Sequence, residues 1–511
     1  MFVRKVKNRS GSFSVQVISK HSGKYKVIKS FGSAKDVDKI EQLLQHAKQY
    51  VNNPNNQPSL FPTLSKEDIA VKNAFEHLNN FHIHTVGPEL IFGTLFDSIG
   101  FQTVTCGELF RHLVIARLSY PTSKLKTVDY LNRYQGIKLS EDRIYRFLDK
   151  LSSTYKTKIE EITYRHTKKL LGGKIVVIFY DMTTLYFESE DEDDLRKIGF
   201  SKDGKFQQPQ IIMIGLLVGK QGLPIGYDIF AGNKFEGHTL LPILKKIEQK
   251  YHFGKPIVVA DSALLSKKNI EALNNANYQY ILGARIKNET DEIKEIILTE
   301  AKILHDGEAL KIIKLNKDKL IITYSDKRSR KDAHNRERGI KKLEDRIKSG
   351  KLTKEHITNR GYNKFLTLDG KISVTLDKEK IKNDKKWDGL KGYATNTKMF
   401  PDEVVECYHH LWQIEQAFRI SKTDLRIRPV FHRLQKRIEA HICIAFVAYA
   451  IFKELERLLR EEKTDLSSKR AAELTHTMYE VEYLLPDSKR IEKTLLKMDD
   501  EQQLLYDTIC K

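Results

Sequence analysis

Apolar residues change their spacing several times along the chain, and each change predicts a different kind of element. Residues 1–32 alternate in short bursts around Gly11 and Gly23, which is typical of a small basic β-hairpin. A helical spacing follows over about 34–51. We therefore predict that residues 1–52 form one small unit of a hairpin and a helix.

The next two segments differ sharply from each other in pattern. Residues 53–86 begin with Pro, Asn and Gln without an apolar period, and this predicts a linker. Residues 87–172 have helical spacing, as at Leu109 and Leu113, and predict an all-α region of short helices. Its basic residues fit two interpretations, a DNA-binding module or an ordinary helical unit with solvated basic faces.

Buried strands replace helices from residue 173, and two of these strands end in an acid. The elements predicted over 173–283 are a strand at 175–181, a hairpin at 210–230, a helix at 238–251 and a strand at 256–261. The first strand ends at Asp181 and the last at Asp261. If the first and fourth strands are neighbours, the two carboxylates lie side by side.

The remaining third of the chain contains a predicted insertion between two further segments. Residues 284–400 have strand-like pieces around a very basic helix, Lys327 to Lys351, and predict a β-rich insertion. Residues 401–460 are strongly helical and are interpreted as the second part of the core. Residues 461–511 predict a C-terminal helical tail.

Composition and charge favour a nucleic-acid partner. The 511-residue chain has 88 Lys and Arg against 67 Asp and Glu, a net charge of +21, which suits a polyanion. The longest apolar run, Ile442 to Phe452, is far shorter than the roughly 20 residues that cross a bilayer, so no membrane partner is expected. The N-terminus lacks a secretory pattern, and we expect a cytoplasmic protein. Cys407, His409 and His410 fit no zinc spacing.

A third candidate acid stands in the helical segment after the insertion. One helical face is predicted to contain Tyr408, Leu411, Glu415, Phe418, Lys422 and Leu425. A carboxylate in such an apolar seam is costly unless it is paired or binds a cation. The alternative is an ion pair of Glu415 with Lys422 or Arg419 on a half-exposed helix, and position alone leaves both open.

Several motifs in order resemble those of insertion-sequence transposases of the DDE class. More narrowly, the chain is similar to the branch with the signature Tyr-x2-Arg-x3-Glu-x6-Lys, which Tyr408, Glu415 and Lys422 match while Leu411 replaces the Arg. The other matching motifs are Tyr180-Asp-Met-Thr-Thr184, Gly199-Phe-Ser-Lys-Asp203, Gln208-Pro-Gln210, Ala260-Asp-Ser-Ala-Leu-Leu-Ser266, Tyr324-Ser-Asp-Lys-Arg328, Trp387-Asp-Gly-Leu-Lys-Gly-Tyr393 and Phe418-Arg-Ile-Ser-Lys-Thr-Asp-Leu425. The resemblance covers roughly residues 85–455.

The resemblance implies an α/β fold, in which a ribonuclease H-like mixed sheet is flanked by helices. A β-rich insertion and an α-helical N-terminal DNA-binding region complete the implied architecture. It also implies that Asp181, Asp261 and Glu415 are catalytic and bind two Mg²⁺ ions, with Mn²⁺ able to substitute. Tyr408 and Lys422 are then candidates for contact with DNA-end phosphates, whereas Leu411 cannot donate to a phosphate, so the use of a hairpin intermediate stays open.

Further DNA-binding candidates come from exposed-looking basic and aromatic positions. Trp412 either stacks on a base or fills the core. The remaining candidates are Arg419, Lys327, Arg328, Arg330 and Lys331. The basic helix has a second interpretation, a solvated helix held by its own acids, such as Asp332 and Glu344.

The predicted activity is cleavage and strand transfer of double-stranded DNA, on terminal inverted repeats and target DNA. The resemblance implies a homodimer in a synaptic complex. No nucleotide cofactor is expected, because no Gly-x4-Gly-Lys-[Ser/Thr] loop occurs. Two alternatives stay open: a metal-dependent nuclease of the same fold, and a catalytically silent nucleic-acid-binding protein.

Overall fold

The computed structural model describes the chain except residues 22, 53–65, 77, 106, 189, 215–217, 219–220, 314–317, 351, 353, 359–360, 370–372, 486–487, 489 and 511. Two compact units are present. The first consists of residues 1–78 and 483–491, and the second of residues 79–482 and 492–511.

The strands are β1 (Phe2–Lys7), β2 (Phe13–His21), β3 (Lys24–Ala34), β4 (Ile83–Thr85), β5 (Val177–Tyr180), β6 (Met182–Tyr186), β7 (Gln210–Ile214), β8 (Asp228–Ala231), β9 (Ile257–Ala260), β10 (Tyr280–Ala284), β11 (Ala309–Ile313), β12 (Lys319–Tyr324), β13 (Leu366–Asp369), β14 (Ser373–Leu376), β15 (Leu390–Thr395), β16 (Tyr479–Leu484) and β17 (Ile491–Leu495).

The α-helices are α1 (Val37–Asn52), α2 (Lys66–Glu76), α3 (Thr94–Ile99), α4 (Glu108–Ser119), α5 (Lys124–Gln135), α6 (Glu141–Lys150), α7 (Lys156–Leu170), α8 (Leu240–Tyr251), α9 (Lys267–Asn275), α10 (Asp291–Glu300), α11 (Asp326–Lys348), α12 (Lys378–Lys385), α13 (Pro401–His409), α14 (Trp412–Arg419), α15 (Gln435–Glu461), α16 (Ser468–Leu474) and α17 (Asp500–Cys510). π-Helical turns occur at Glu89–Gly93, Leu151–Tyr155 and Ile420–Asp424.

The first unit is a small sheet with one packed helix. Strands β1, β2 and β3 form an antiparallel sheet in that order, and α1 packs on it through Ala47 against Val15 and Val17. The predicted helix is confirmed, but the hairpin prediction is incomplete because β1 adds a third strand. The predicted linker contains α2, while its Pro-rich part falls on residues 53–65, outside the described residues.

Helices of the second unit are assembled around α15. The predicted short helices over 87–172 appear as α3 to α7, and the 27-residue helix α15 packs against α3, α4, α6 and α7. Its middle part, from Ile442 to Ile451, is buried, which explains the apolar run in the sequence. No helix in the described part of the chain is both long and apolar enough to cross a membrane.

The core sheet is mixed, and its edge strand β5 ends directly before the first acid. Strands run in the order β11-β12-β15-β10-β9-β5, and β9 is parallel to both β5 and β10. Asp181 alone separates β5 from β6, which begins a second, antiparallel sheet with β7 and β8. The fold is therefore of the predicted α/β class, with a mixed sheet flanked by helices.

The insertion and the tail depart from the simple prediction. Strands β11, β12 and β15 extend the core sheet, while β13 and β14 form a separate hairpin near the basic helix α11. The tail contains α16 and α17 as expected, but also β16, which pairs with β4, and β17. The short alternating stretch at residues 479–484 was the only sequence signal for these strands.

Candidate active site

The two aspartates stand at the same edge of the core sheet. Strands β5 and β9 are parallel, with Tyr180 opposite Ala260, so Asp181 and Asp261 are the next residues on adjacent strands. This pairing confirms the predicted adjacency of the first and fourth strands. Backbone amides position both carboxylates, because Asp181 Oδ1 accepts the N–H of Met182 at 2.7 Å and Asp261 Oδ1 accepts that of Ala263 at 2.8 Å.

The segment with the third acid is not one continuous helix. Helix α13 ends at His409 and α14 begins at Trp412, so the apolar face is interrupted. Leu411 and Phe418 are buried as the pattern predicts, but the side chain of Glu415 is exposed. The prediction that Glu415 lies in an apolar seam is therefore wrong, since its side chain is exposed on α14.

The phenol of Tyr408 interacts electrostatically with all three carboxylates. Burial raises its pKa, and the negative charges of Asp261, Glu415 and Asp181 raise it further. The Tyr408 ring also packs edge-on to Tyr393, with ring centroids 4.8 Å apart. All three acids therefore lie within electrostatic range of one buried hydroxyl.

Two cations border this group of acids. Lys391 Nζ lies 4.5 Å from the centre of the Tyr408 ring, and burial and the charge of Arg328 lower its pKa while Glu415 opposes the shift. Arg328, one of the predicted DNA-binding residues, lies in the first turn of α11. Lys391 was not predicted, although it belongs to the motif that begins at Trp387, which was its only signal.

The Gly199–Asp203 motif supplies another pair of contacts. Lys202 Nζ lies 3.5 Å from Asp181 Oδ1 and also donates to the carbonyl of Met182. Asp203 binds Lys422 Nζ at 3.3 Å and Arg428 at 3.1 Å. Lys422 therefore pairs with Asp203 and not with Glu415, and the ion-pair alternative for Glu415 with Lys422 is wrong.

Residues 172–451 match the family described as Transposase DDE domain. The chain belongs to this family. The matched region spans Asp181, Asp261 and Glu415, so this DDE transposase is a polynucleotidyl transferase and endonuclease.

Two solved structures are similar to the transposase at low identity. The piggyBac transposase synaptic complex with hairpin DNA is 10% identical, with 76% of each chain covered and a TM-score of 0.39. The Mos1 transposase paired-end complex with left transposon end is 9% identical, covering 48% of this chain and 67% of that one, with a TM-score of 0.16. No curated protein matches the chain.

Other predicted residues of the transposase are exposed to solvent. Trp412 has an exposed fraction of 55%, so the interpretation that it fills the core is wrong. Arg419 is exposed on α14. The exposed residues of α11 include Lys327, Arg328, Arg330 and Lys331, and of these Arg328 lies 3.6 Å from Asp332.

The donor set of the transposase suits a divalent cation. Three carboxylates supply the hard oxygen ligands that Mg²⁺ prefers. Among the residues that the structure describes, no three Asp, Glu, His or Cys side chains are close enough to form a complete metal site.

Proposed function

We propose that this chain is the transposase of an insertion sequence, which binds terminal inverted repeats and catalyses metal-dependent cleavage and strand transfer of double-stranded DNA. The register of β5 against β9, which sets Asp181 beside Asp261, carries the proposal. Glu415, like the two aspartates, raises the pKa of the Tyr408 hydroxyl. This shared effect supports the third acid as a member of the same site.

Asp181, Asp261 and Glu415 are proposed to hold two Mg²⁺ ions, which Mn²⁺ can replace. Such ions activate the attacking oxygen and stabilise the leaving oxygen of a phosphodiester. The backbone amides of Met182 and Ala263 orient the two aspartates towards this task. Glu415 lies on the short helix α14, so it is proposed to complete the set from outside the sheet.

Exposed cations around the acids are proposed to bind the DNA backbone. Lys391 lies beside Tyr408, and the charge of Arg328 acts on Lys391. The exposed residues Lys327, Arg330, Lys331 and Arg419 extend the positive surface. Trp412 is available to stack on a base. Tyr408 is buried, so we assign it to positioning the acids, and Lys422 contacts a DNA-end phosphate from its pair with Asp203.

The test is a Mg²⁺-dependent cleavage assay on DNA that contains the ends of the element. Asp181→Asn, Asp261→Asn and Glu415→Gln are each expected to lower cleavage by at least about a thousandfold, about 4 kcal/mol of transition-state stabilisation. Asp291→Asn and Glu406→Gln change exposed acids outside the site and are expected to cut normally. Normal cleavage by any of the three site variants would overturn the assignment.

Strand transfer separates transposition from simple cleavage. A transposase joins a pre-cut end to a second DNA, whereas a nuclease of the same fold gives cut product alone. A silent binding protein would show neither product, and the three acid variants would leave its DNA binding unchanged. We propose that the active form is a homodimer that joins two ends in the cytoplasm.

A further inference from the structure

A basic cavity that none of the three acids lines contains buried cations. Its volume is about 360 Å³, and its walls come from the start of α5, the segment 426–432 and α15. Arg117 and Lys124 line it with exposed fractions of only 4% and 5%. His432 and His441 are the other buried titratable side chains in its wall.

Among the described residues, no acidic side chain lines the cavity, and only Arg428 pairs with an acid, Asp203, which lies outside the lining. The lining residues include Arg117, Lys124, Lys126, Arg426 and Arg428, but no Asp or Glu. Burial lowers the pKa of Arg117 to about 10, and burial and Arg117 lower that of Lys124 strongly. A buried cation without a counter-charge is destabilising, so the cavity favours an anionic ligand.

Unused hydrogen-bond donors point to the same chemistry. Arg117 Nε and Arg428 Nε have no partner in the described part of the chain. Arg117 Nη1 reaches only the carbonyls of Leu425 and Arg426, both at 3.4 Å. Guanidinium groups with unfilled donors match the several acceptor oxygens of a phosphate group.

The backbone of α5 adds to the positive potential. This 12-residue helix begins at Lys124, after its N-cap Ser123, and both residues line the cavity. A helix N-terminus attracts anions and disfavours a cation such as Lys124. The ammonium of Lys124 is therefore in an unfavourable position unless an anion lies close to both this group and the N-terminus of α5.

The cavity is connected to the candidate active site through β6. Val430 lies between the lining residues Pro429 and Phe431, and its N–H donates to the carbonyl of Tyr186 at 3.0 Å. Tyr186 is the last residue of β6, the strand that starts beside Asp181. Arg428 lines the cavity and also pairs with Asp203, which follows Lys202, the lysine beside Asp181.

We propose that this cavity binds a backbone phosphate of the DNA other than the phosphate that the three acids cleave. The identification of the ligand as DNA rests on the proposed function. The contact is to the backbone and independent of base sequence, so it sets the position of the duplex along the protein.

Lys124→Met tests the cavity because Met has a similar shape without the charge. Binding of a short duplex to the full chain is expected to weaken about tenfold or more, and the slope of log affinity against log salt to fall by about 0.9. The melting temperature of the free protein is expected to rise, since an uncompensated buried cation is removed. If Lys124 instead had a purely structural role, Lys124→Met would lower both the DNA affinity and the melting temperature.

Lys138→Met is the matched control, since Lys138 is exposed just beyond the other end of α5. It is expected to keep the affinity and the salt slope. Arg428→Gln is a second variant, because its partly exposed side chain leaves the core intact, and it should also lower the salt slope.

The outcomes separate this inference from the proposed function. If the wild-type chain binds no duplex, the proposed function fails. If it binds duplex and Lys124→Met binds equally well with the same slope, the cavity takes no DNA phosphate. Stabilisation of the wild type by inorganic phosphate at constant ionic strength, with an unchanged DNA slope in Lys124→Met, would assign the cavity to a small anion and overturn the DNA contact.

Discussion

The hydroxyl of Tyr408 occupies the space that a side chain at Gly283 would need. A Cβ at position 283 would lie 2.6 Å from the Tyr408 hydroxyl oxygen and 3.1 Å from the backbone nitrogen of Ser262. Gly283 lies in β10, and Ser262 follows Asp261 directly. The absence of a side chain in β10 therefore allows the phenol to reach the loop of the second acid.

Gly283→Ala is expected to displace Tyr408 and to lower cleavage about tenfold or more, while overpacking lowers the free energy of unfolding by about 1–3 kcal/mol. Cleavage rates and urea unfolding measure the two effects. Adding Tyr408→Phe removes the oxygen that the new methyl group meets. The double variant should thus regain stability, and equal stability of the single and double variants would disprove the clash.

Lys202→Met is expected to tighten Mg²⁺ binding to the DNA-free protein about fivefold. The ammonium 3.5 Å from Asp181 Oδ1 competes for the carboxylate, and such a partly exposed pair contributes about 1 kcal/mol. The rise in melting temperature with Mg²⁺ concentration reports the affinity. Lys205→Met, an exposed neighbour, is the control, and weaker Mg²⁺ binding by Lys202→Met would contradict the competition.

Asp203→Asn is expected to lower the free energy of unfolding by about 3 kcal/mol. The change leaves Lys422 and Arg428 without their shared carboxylate, and both Asp203 and Lys422 have exposed side-chain fractions of only 12%. Asp129→Asn breaks an exposed helical pair with Arg133 and should cost about 0.5 kcal/mol. Equal losses in urea unfolding would show that the Asp203 pair is no stronger than a surface pair.

Acid is expected to destabilise the protein partly through His432. Burial lowers its pKa to about 3 from the ordinary 6.5, and the charges of Lys124, Arg117 and Arg437 act in the same direction. Between these two values the unfolded chain binds more protons, so the free energy of unfolding falls as the pH falls. His432→Gln should remove about 3 kcal/mol of the loss between pH 7 and pH 4.

Urea unfolding at several pH values measures this effect. His305→Gln, at an exposed histidine, should retain the wild-type pH dependence. An unchanged pH dependence in His432→Gln would show that this imidazole is not held neutral by its surroundings.

DNA is expected to quench the fluorescence of Trp412. The chain has two tryptophans, so Trp387→Phe leaves Trp412 as the single reporter. Trp412→Ala should weaken DNA binding by about 1–3 kcal/mol and leave the melting temperature nearly unchanged, because the side chain is largely exposed. A large drop in melting temperature without loss of DNA affinity would assign Trp412 to packing.

The sequence predicted the parts of the candidate site that depend on local periodicity. Two buried runs end in Asp181 and Asp261, and these acids were expected side by side if the two strands are neighbours. The pairing of Tyr180 with Ala260 confirms that they are. The roles of these aspartates remain predictions. The basic helix also followed from its pattern, within three residues at its C-terminal end.

Tertiary contacts account for what the sequence could not predict. A helical wheel places Leu411, Glu415 and Phe418 on one face, but it could not show that Glu415 is exposed while the other two are buried. The partner of Lys422 lies 219 residues away in Asp203, beyond any local rule. Lys391 likewise acquires its position only when β15 pairs with β10.

The extension of the core sheet by β15, β12 and β11 limits how far this protein can be shortened. Excising residues 284–400 to make a compact enzyme would remove β15 and leave β10 as an unpaired edge. Strand β10 is almost wholly buried and apolar, from Tyr280 to Gly283, and such an edge pairs readily with other chains. A miniaturised version is therefore expected to aggregate unless a new strand or charged residues cover that edge.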